Sequence, residues 1–457
     1  MKVYTAERQE RIILFFLIFI IAVIPLVYLP YMNVKSESFW LEFLYDVVLH
    51  YDNVNMPKLN LLFLALLFLL TYSLSLMRKG QLTIEYDSAY LLLGIFYLFL
   101  SLSTIFSEYK YIALFGRYKR WEGFLTYTAY IMVFFTFAIY LDKKENLILV
   151  MKTLLVSASL ISFYGLLQLF KLDFIEPSPV GKKFYPRMFS TLGNPNFAGS
   201  YIIMPLTLIL VLFLYSRKRG EFLSRGFLST LFYSFLVGTS TRGCWLSFLV
   251  ILALIGFLLR GKIRENIKAV IVLLLIFIII TFAMDFYQNG YISRRILSIF
   301  LDMERIVTQQ DIAKVGANRL FIYRNSIPLL WKNPLFGNGL DTFAEVFPQD
   351  KYREFFNSRI IVDKAHCEYL QLGVTAGIPA LLAYLCFIGH LARRGLRNWE
   401  KGDKFQQGLL MSMLAYLFQA TFNISVITVA PVFWALLGMN LVINRLMEEQ
   451  AGEGVKC

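Results

Sequence analysis

Histidine, paired cysteine and clustered acid are scarce in this chain, and each scarcity removes a class of chemistry. Three histidines in 457 residues (His50, His366 and His390) are too few for a His-rich metal centre. Cys244, Cys367, Cys386 and Cys457 are scattered with no C-x-x-C pair, so neither a disulfide framework nor a zinc site is written in them. No Asp-x-Asp cluster falls on a loop between the apolar runs, so nothing visible requires a divalent metal, and no cofactor is called for. The chain also lacks a phosphate-binding P-loop, a G-x-G-x-x-G turn after a strand, and an internal repeat of short period.

Apolar sequence is what the chain has in abundance. Hydrophobic residues make up 58% and aromatic residues 17% of it, more than a water-soluble fold could bury. Runs long enough to cross about 30 Å of hydrocarbon recur throughout. About twelve spans are predicted, roughly at 12–30, 59–77, 88–106, 124–141, 148–170, 197–216, 227–238, 243–259, 269–287, 366–390, 406–423 and 430–447. The fold class is therefore an all-α polytopic membrane protein, read as one membrane domain over 1–457 with a large extracytoplasmic loop at 288–365 that carries amphipathic helices. The first run follows a short basic N-terminus, but it ends in Tyr-Leu-Pro-Tyr without a small-residue cleavage pattern and reads as a retained span.

Lysine and arginine supply the orientation. The clusters Lys2/Arg8/Arg11, Arg78/Lys79, Lys143/Lys144, Arg217/Lys218/Arg219/Arg225, Arg260/Lys262/Arg264 and Arg393/Arg394/Arg397 all fall on one side of the twelve-span topology. That side is then the cytoplasm, with both termini in it. The opposite side carries cations where the trend disfavours them: Lys110, Arg117, Lys119 and Arg120 in the loop 108–123, and Lys182, Lys183 and Arg187 in 171–196. A net charge of +14 fits contact with anionic membrane lipids, and basic outward loops point to an anionic ligand such as a lipid-linked phosphate, with no nucleic acid implied.

The stretch Leu236-Val-Gly-Thr-Ser-Thr-Arg-Gly-Cys-Trp245 places Arg242 at a membrane face, where a guanidinium is costly and counts as a functional-site candidate. Thr239, Ser240 and Thr241 can cap the helix that follows, so that Arg242 and free N–H groups face one volume. Two further outward helix starts are expected: Asn194 or Asn196 as a cap with Pro195 in the first turn, and Asp363-Lys-Ala-His366 opening the tenth span. With Arg187, Arg242 and Arg319 nearby, these starts form an electropositive pocket suited to a diphosphate. Arg187, Arg324, Asn196 and Arg120 are the expected substrate-binding residues. His366 is the plausible general base, because cations beside it lower its pKa and favour the neutral imidazole, with Asp363 or Glu368 placed to orient it. Within the long loop, Asn318 is a cap candidate, Leu320, Tyr323, Ile327 and Trp331 have helical spacing, and Pro328 is expected to kink or end that helix.

At these residues the chain resembles the O-antigen ligase/polymerase superfamily of bacterial membrane glycosyltransferases. The matching pieces are Phe189-Ser-Thr-Leu-Gly-Asn-Pro-Asn196, Ser240-Thr-Arg-Gly243, Asn318-Arg-Leu320 leading to Asn333-Pro-Leu-Phe-Gly-Asn-Gly339, and Ala365-His-Cys-Glu-Tyr-Leu-Gln-Leu372 with Gly377-Ile378. They define a core at 185–380. The resemblance implies a fold related to the GT-C glycosyltransferases, a donor glycan on undecaprenyl diphosphate, and metal-independent transfer at the outer leaflet of the cytoplasmic membrane. It also implies that His366 is the base on the acceptor hydroxyl and that Arg242 and Arg319 hold the diphosphate. Cys367 departs from the pattern, since asparagine commonly follows the family's histidine. Gly116-Arg-Tyr-Lys-Arg-Trp-Glu-Gly123 resembles a version found in Gram-positive relatives, which implies an acceptor other than lipopolysaccharide.

Two activities share this pattern. One is en bloc transfer of the glycan to a lipid, protein or glycan acceptor. The alternative is polymerisation, in which the acceptor is another lipid-linked repeat unit. A transporter or lipid flippase would instead predict mid-membrane ionisable residues and paired interrupted helices, and the spans are nearly free of the former.

Overall fold

The computed structural model describes residues 2–29, 52–82, 84–175 and 182–453, and no β-strand occurs among them. His50 and Cys457 lie outside the described residues. Leu-, Ile- and Phe-rich runs become helices because a bilayer offers no partner for a free backbone N–H or C=O.

In chain order the α-helices are α1 Lys2–Ile18, α2 Asn55–Arg78, α3 Ser88–Phe106, α4 Lys110–Phe115, α5 Phe124–Tyr140, α6 Lys144–Leu169, α7 Pro195–Leu214, α8 Arg219–Gly238, α9 Arg242–Leu258 and α10 Arg260–Glu265. They continue with α11 Ile267–Tyr287, α12 Tyr291–Thr308, α13 Arg319–Lys332, α14 Phe343–Val346, α15 Gln349–Phe356, α16 Glu368–Ala376, α17 Ile378–Arg397, α18 Lys404–Ala420 and α19 Ala430–Glu453.

The central element is α7. It is buried along its membrane-spanning length and packs against α18, α8, α9 and α6. A second group pairs α19 with α5 and α17 with α3. Among the described residues seven helices are long and apolar enough to cross a membrane, which makes this a membrane protein. Twelve is not reached by that measure. α5 and α9 are apolar but shorter. The run expected at 227–238 is only the apolar half of α8, whose first turns carry Arg219, Glu221 and Arg225. The run at 406–423 falls on α18, whose Gln406, Gln407, Ser412 and Gln419 are buried against protein rather than lipid. The run at 366–390 is cut at Gly377 into α16 and α17.

Residues 288–365 are largely helical. α12 has an exposed apolar face that includes Leu297, Phe300, Leu301 and Val307, and an opposite face with buried Asp302. α13 runs through Pro328 to Lys332 instead of ending there. Pro328 and Arg324, four residues earlier, are both exposed, so the carbonyl freed by proline stays open to solvent. The predicted apolar stripe is also offset. Ile322 and Ser326 are the buried positions, whereas Ile327 and Trp331 are 52% and 70% exposed. Ile322 joins Phe343, Phe347, Tyr352, Val362, Ala365 and Val374 in a small second core.

The turn Asn333–Gly339 fastens this core to the bundle. Asn338 and Gly339 donate their N–H groups to the Thr375 carbonyl at 3.0 and 2.9 Å, and Ser103 Oγ donates to the same oxygen at 2.9 Å. Gly337 has φ +65°, and a Cβ there would stand 2.4 Å from that carbonyl oxygen. Gly337→Ala is therefore expected to cost more than about 1 kcal/mol, the left-handed penalty for a non-glycine residue with the clash added. A thermal melt in detergent with no downward shift would contradict this.

Candidate functional site

Three chain reversals at one end of the bundle build the site, and each holds a residue in the left-handed region. Ser240 (φ +49°) turns α8 into α9, Asn318 (φ +70°) leads into α13, and His366 itself has φ +55° two residues before α16. Such backbone is costly for residues with a Cβ, and it persists where the surroundings dictate it.

Asn194 is the cap of α7: its side chain accepts from the Asn196 N–H at 2.8 Å, with Pro195 in the first turn. That frees Asn196 Oδ1 to accept from Arg187 Nη2 at 2.9 Å. Arg187 also donates to the Thr239 carbonyl at 2.8 Å and to Thr241 Oγ1 at 3.0 Å. The expected capping of α9 by hydroxyls is corrected. Thr241 stands at the cap position but its hydroxyl bonds the Pro195 carbonyl at 3.1 Å, and Thr239 bonds back to Leu236. Ser240 Oγ is buried without a partner. The first N–H groups of α9 are thus left without a side-chain cap, beside Arg242.

Arg242 points toward α12. Its Nη1 lies 2.7 Å from Asp302 Oδ2 and 3.0 Å from Ser298 Oγ, with the two charged side chains only 15% and 12% exposed. One turn or more earlier on the same helix, Arg295 donates to the Ser240 carbonyl at 3.0 and 3.2 Å. Arg319 enters from α13 and donates to the Phe422 carbonyl. The four guanidiniums of Arg187, Arg242, Arg295 and Arg319 line one pocket of about 450 Å³, and among the described residues Asp302 is the single carboxylate in its wall. Leu246, Ile299, Met303 and Ile306 supply an apolar side. Burial pushes Arg187 down to about 10, and it lowers Arg295 and Arg319 too, with neighbouring arginines adding to each. The pocket is short of negative charge, and an anion with several oxygens would satisfy it.

His366 is half-buried next to this pocket. Tyr323, which lines the pocket, donates its hydroxyl to the His366 carbonyl at 3.0 Å. Burial first, then the Arg319 charge, with smaller contributions from Arg120 and Lys364 against the opposing pull of Asp363, bring the imidazole down to about 4. It is neutral at pH 7 and can accept a proton. Among the described residues its ring has no hydrogen-bond partner. Asp363 is taken by Arg120 at 2.7 Å, and Glu368 by the hydroxyls of Tyr384 and Tyr416 at 2.9 Å each, so neither orients the ring. Cys367 occupies the cap of α16 without a side-chain cap bond.

Arg120 thus reaches the histidine rather than the arginine pocket. Arg324 joins neither; it is exposed on the outside of α13. Sequence reasoning missed Arg295 and Asp302. Their signal was the spacing of Arg295, Ser298 and Asp302 at positions i, i+3 and i+7 of an otherwise apolar helical stretch.

Asp341 was missed as well. Its Oδ2 accepts the N–H groups of Arg117 and Glu122 at 2.6 and 3.2 Å, and its Oδ1 accepts from Lys364 Nζ, both side chains being almost wholly buried. One carboxylate therefore ties together the 116–123 loop, the 337–342 turn and the segment that presents His366. Gly116 and Gly123 let the first of these loops close on itself, since a Cβ on Gly123 would meet the Gly116 nitrogen at 2.3 Å. Asp341→Asn leaves Lys364 buried and uncompensated, which typically costs about 3–5 kcal/mol. Adding Lys364→Met is expected to restore part of the lost melting temperature. Equal melting of wild type and Asp341→Asn would remove the clamp.

The fold and pocket together define a polytopic helical membrane protein with an arginine-lined cavity at one end of its bundle. Residues 226–385 match the family model described as O-antigen ligase, which supports a likeness of this segment to the O-antigen ligase/polymerase superfamily. The matched segment holds Arg242, Arg295, Asp302, Arg319 and His366, while Arg120, Arg187 and Asn196 precede it. The match implies a glycosyltransferase-type activity on lipid-linked glycans. No curated protein matches the chain.

Proposed function

We propose that the protein transfers a glycan from undecaprenyl diphosphate to an acceptor hydroxyl at the outer face of the cytoplasmic membrane, without a metal. The convergence of Arg187, Arg242, Arg295 and Arg319 on one pocket beside a neutral His366 carries this reading. The acceptor hydroxyl attacks the anomeric carbon as His366 takes its proton, and the bond from that carbon to the diphosphate oxygen breaks. Charge grows on the departing diphosphate, where the guanidiniums stabilise the transition state more than the ground state. Arg242 and Arg319 bear directly on the diphosphate, with Arg187 and Asn196 behind them. Arg120 acts on the acceptor side, through its pair with Asp363. In this orientation both termini are cytoplasmic, and the 288–365 segment faces outward.

The test uses purified protein in detergent, an undecaprenyl-diphosphate-linked oligosaccharide and excess chelator, beside His366→Ala. Glycan moved to an added lipid or protein acceptor supports ligation. A ladder growing on the lipid carrier identifies a polymerase instead. Absence of any His366-dependent product with either acceptor refutes the assignment, and loss of product on chelation refutes its metal independence.

A further inference from the structure

A second cavity lies at the other end of the bundle. About 380 Å³ in volume, it is bounded by α7, α9, α10 and α11, and every residue lining it is apolar. Along α9, Ala253 of this slot is eleven residues from Arg242, roughly 17 Å at the helical rise. The two cavities are therefore separate, and the arginine pocket does not account for this one.

The slot opens sideways. Ala253 on α9 and Leu274 on α11 both line it and are both exposed, and α11 as a whole is the least buried of the membrane-length helices. An apolar opening on a lipid-facing wall is continuous with the hydrocarbon of the bilayer, so its natural content is an acyl chain.

Its rim is cationic. Ile263 on α10 lines the slot, and Arg260 and Arg264 lie three residues before and one after it, an i, i+4 pair on the same side of the helix. Both arginines are exposed, and among the described residues neither is ion-paired. Their neighbour Lys262 is already engaged, at 2.8 Å from Glu265 and over the Tyr215 ring at 5.4 Å. A guanidinium pair beside an apolar slot at a membrane surface suits a phosphate headgroup with its chain below it.

We infer that this slot is a binding site for an anionic phospholipid, one acyl chain between α9 and α11 and the headgroup phosphate on Arg260 and Arg264. Charge complementarity selects the headgroup, since a zwitterionic lipid brings a choline that two guanidiniums repel.

Native mass spectrometry of the full chain, with phosphatidylglycerol or phosphatidylcholine of identical chains added in equal amounts, tests it. Wild type is expected to retain one phosphatidylglycerol and little phosphatidylcholine. Arg260→Gln/Arg264→Gln removes about fivefold of that preference per cation, leaving the two lipids nearly equal. Ala253→Trp, or the milder Ala253→Leu if the tryptophan variant does not fold, blocks the slot and releases both. The inference is overturned if wild type holds the two lipids equally, if the double-glutamine variant keeps its phosphatidylglycerol, or if filling the slot changes nothing.

Discussion

Replacing Arg242 with alanine is expected to lower the transfer rate by about a hundred- to a thousandfold, the usual cost of losing one donor to developing negative charge, about 2.7–4 kcal/mol. The geometry makes this residue the most exposed to that test. It opens α9 beside first-turn N–H groups that no described side chain caps, and its guanidinium lies in a pocket where Asp302 is the only opposing charge among the described residues. The loss should appear in kcat as well as in kcat/KM, because the interaction strengthens as the diphosphate leaves. Arg242→Lys should recover little, since a lysine cannot hold Asp302 and Ser298 while presenting a planar fork to two phosphate oxygens. Turnover within a few-fold of wild type in a well-folded Arg242→Ala protein would end the role assigned to it.

His366→Ala is expected to cost about 10²–10⁴-fold, the range for a positioned general base. Donor binding should persist, because the four arginines remain. The pH dependence is the sharper measurement. With the imidazole near 4, the wild-type rate should stay level from neutral pH down to about 5 and fall only as the ring protonates below that. Arg319→Ala takes away a cation that depresses this value, so its acid limb should move upward. Stability follows the same linkage. The folded value lies below the ordinary 6.5, so between about pH 6.5 and 4 the unfolded chain takes up a proton that the folded one does not. Wild type should therefore lose stability relative to His366→Ala as pH falls through that window. An acid limb near the ordinary histidine value would show that burial and the neighbouring cations do not depress His366, and the absence of any rate loss in His366→Ala would show that it is not the base.

Some of this site was legible in the order of residues because local chemistry decides it. Asn194-Pro195 capping the first turn of α7 needs only its own neighbours. Arg242, Arg319 and His366 each stand beside punctuation that marks a helix start. The spacing of Arg295 and Asp302 marked a polar face but not its role, because that lies in which face of α12 turns toward α9, and an amphipathic repeat reads the same whether its polar face meets water or a buried arginine. Arg324 shows the converse: by spacing it belongs near Arg319, but at five residues further along α13 it emerges on the other side. Pro328, expected to kink or end its helix, does not end it for a related reason, since the residue four positions earlier lies at an exposed surface.

The sequence by itself determined that this is a helical membrane protein, because apolar runs of that length leave the backbone no other way to satisfy its hydrogen bonds in lipid. It also pointed to arginines and one histidine as the chemical types of the candidate site. Tertiary structure alone decided that Arg187, Arg242 and Arg319 share one cavity with Arg295 and, among the described residues, a single aspartate, and that Asp341 binds three loops distant in sequence around His366. Those outcomes depend on contacts between α9, α12 and α13 and between the 116–123 loop and Lys364. Such contacts arise from the packing of whole elements, and no local periodicity encodes which face of one helix meets which turn of another.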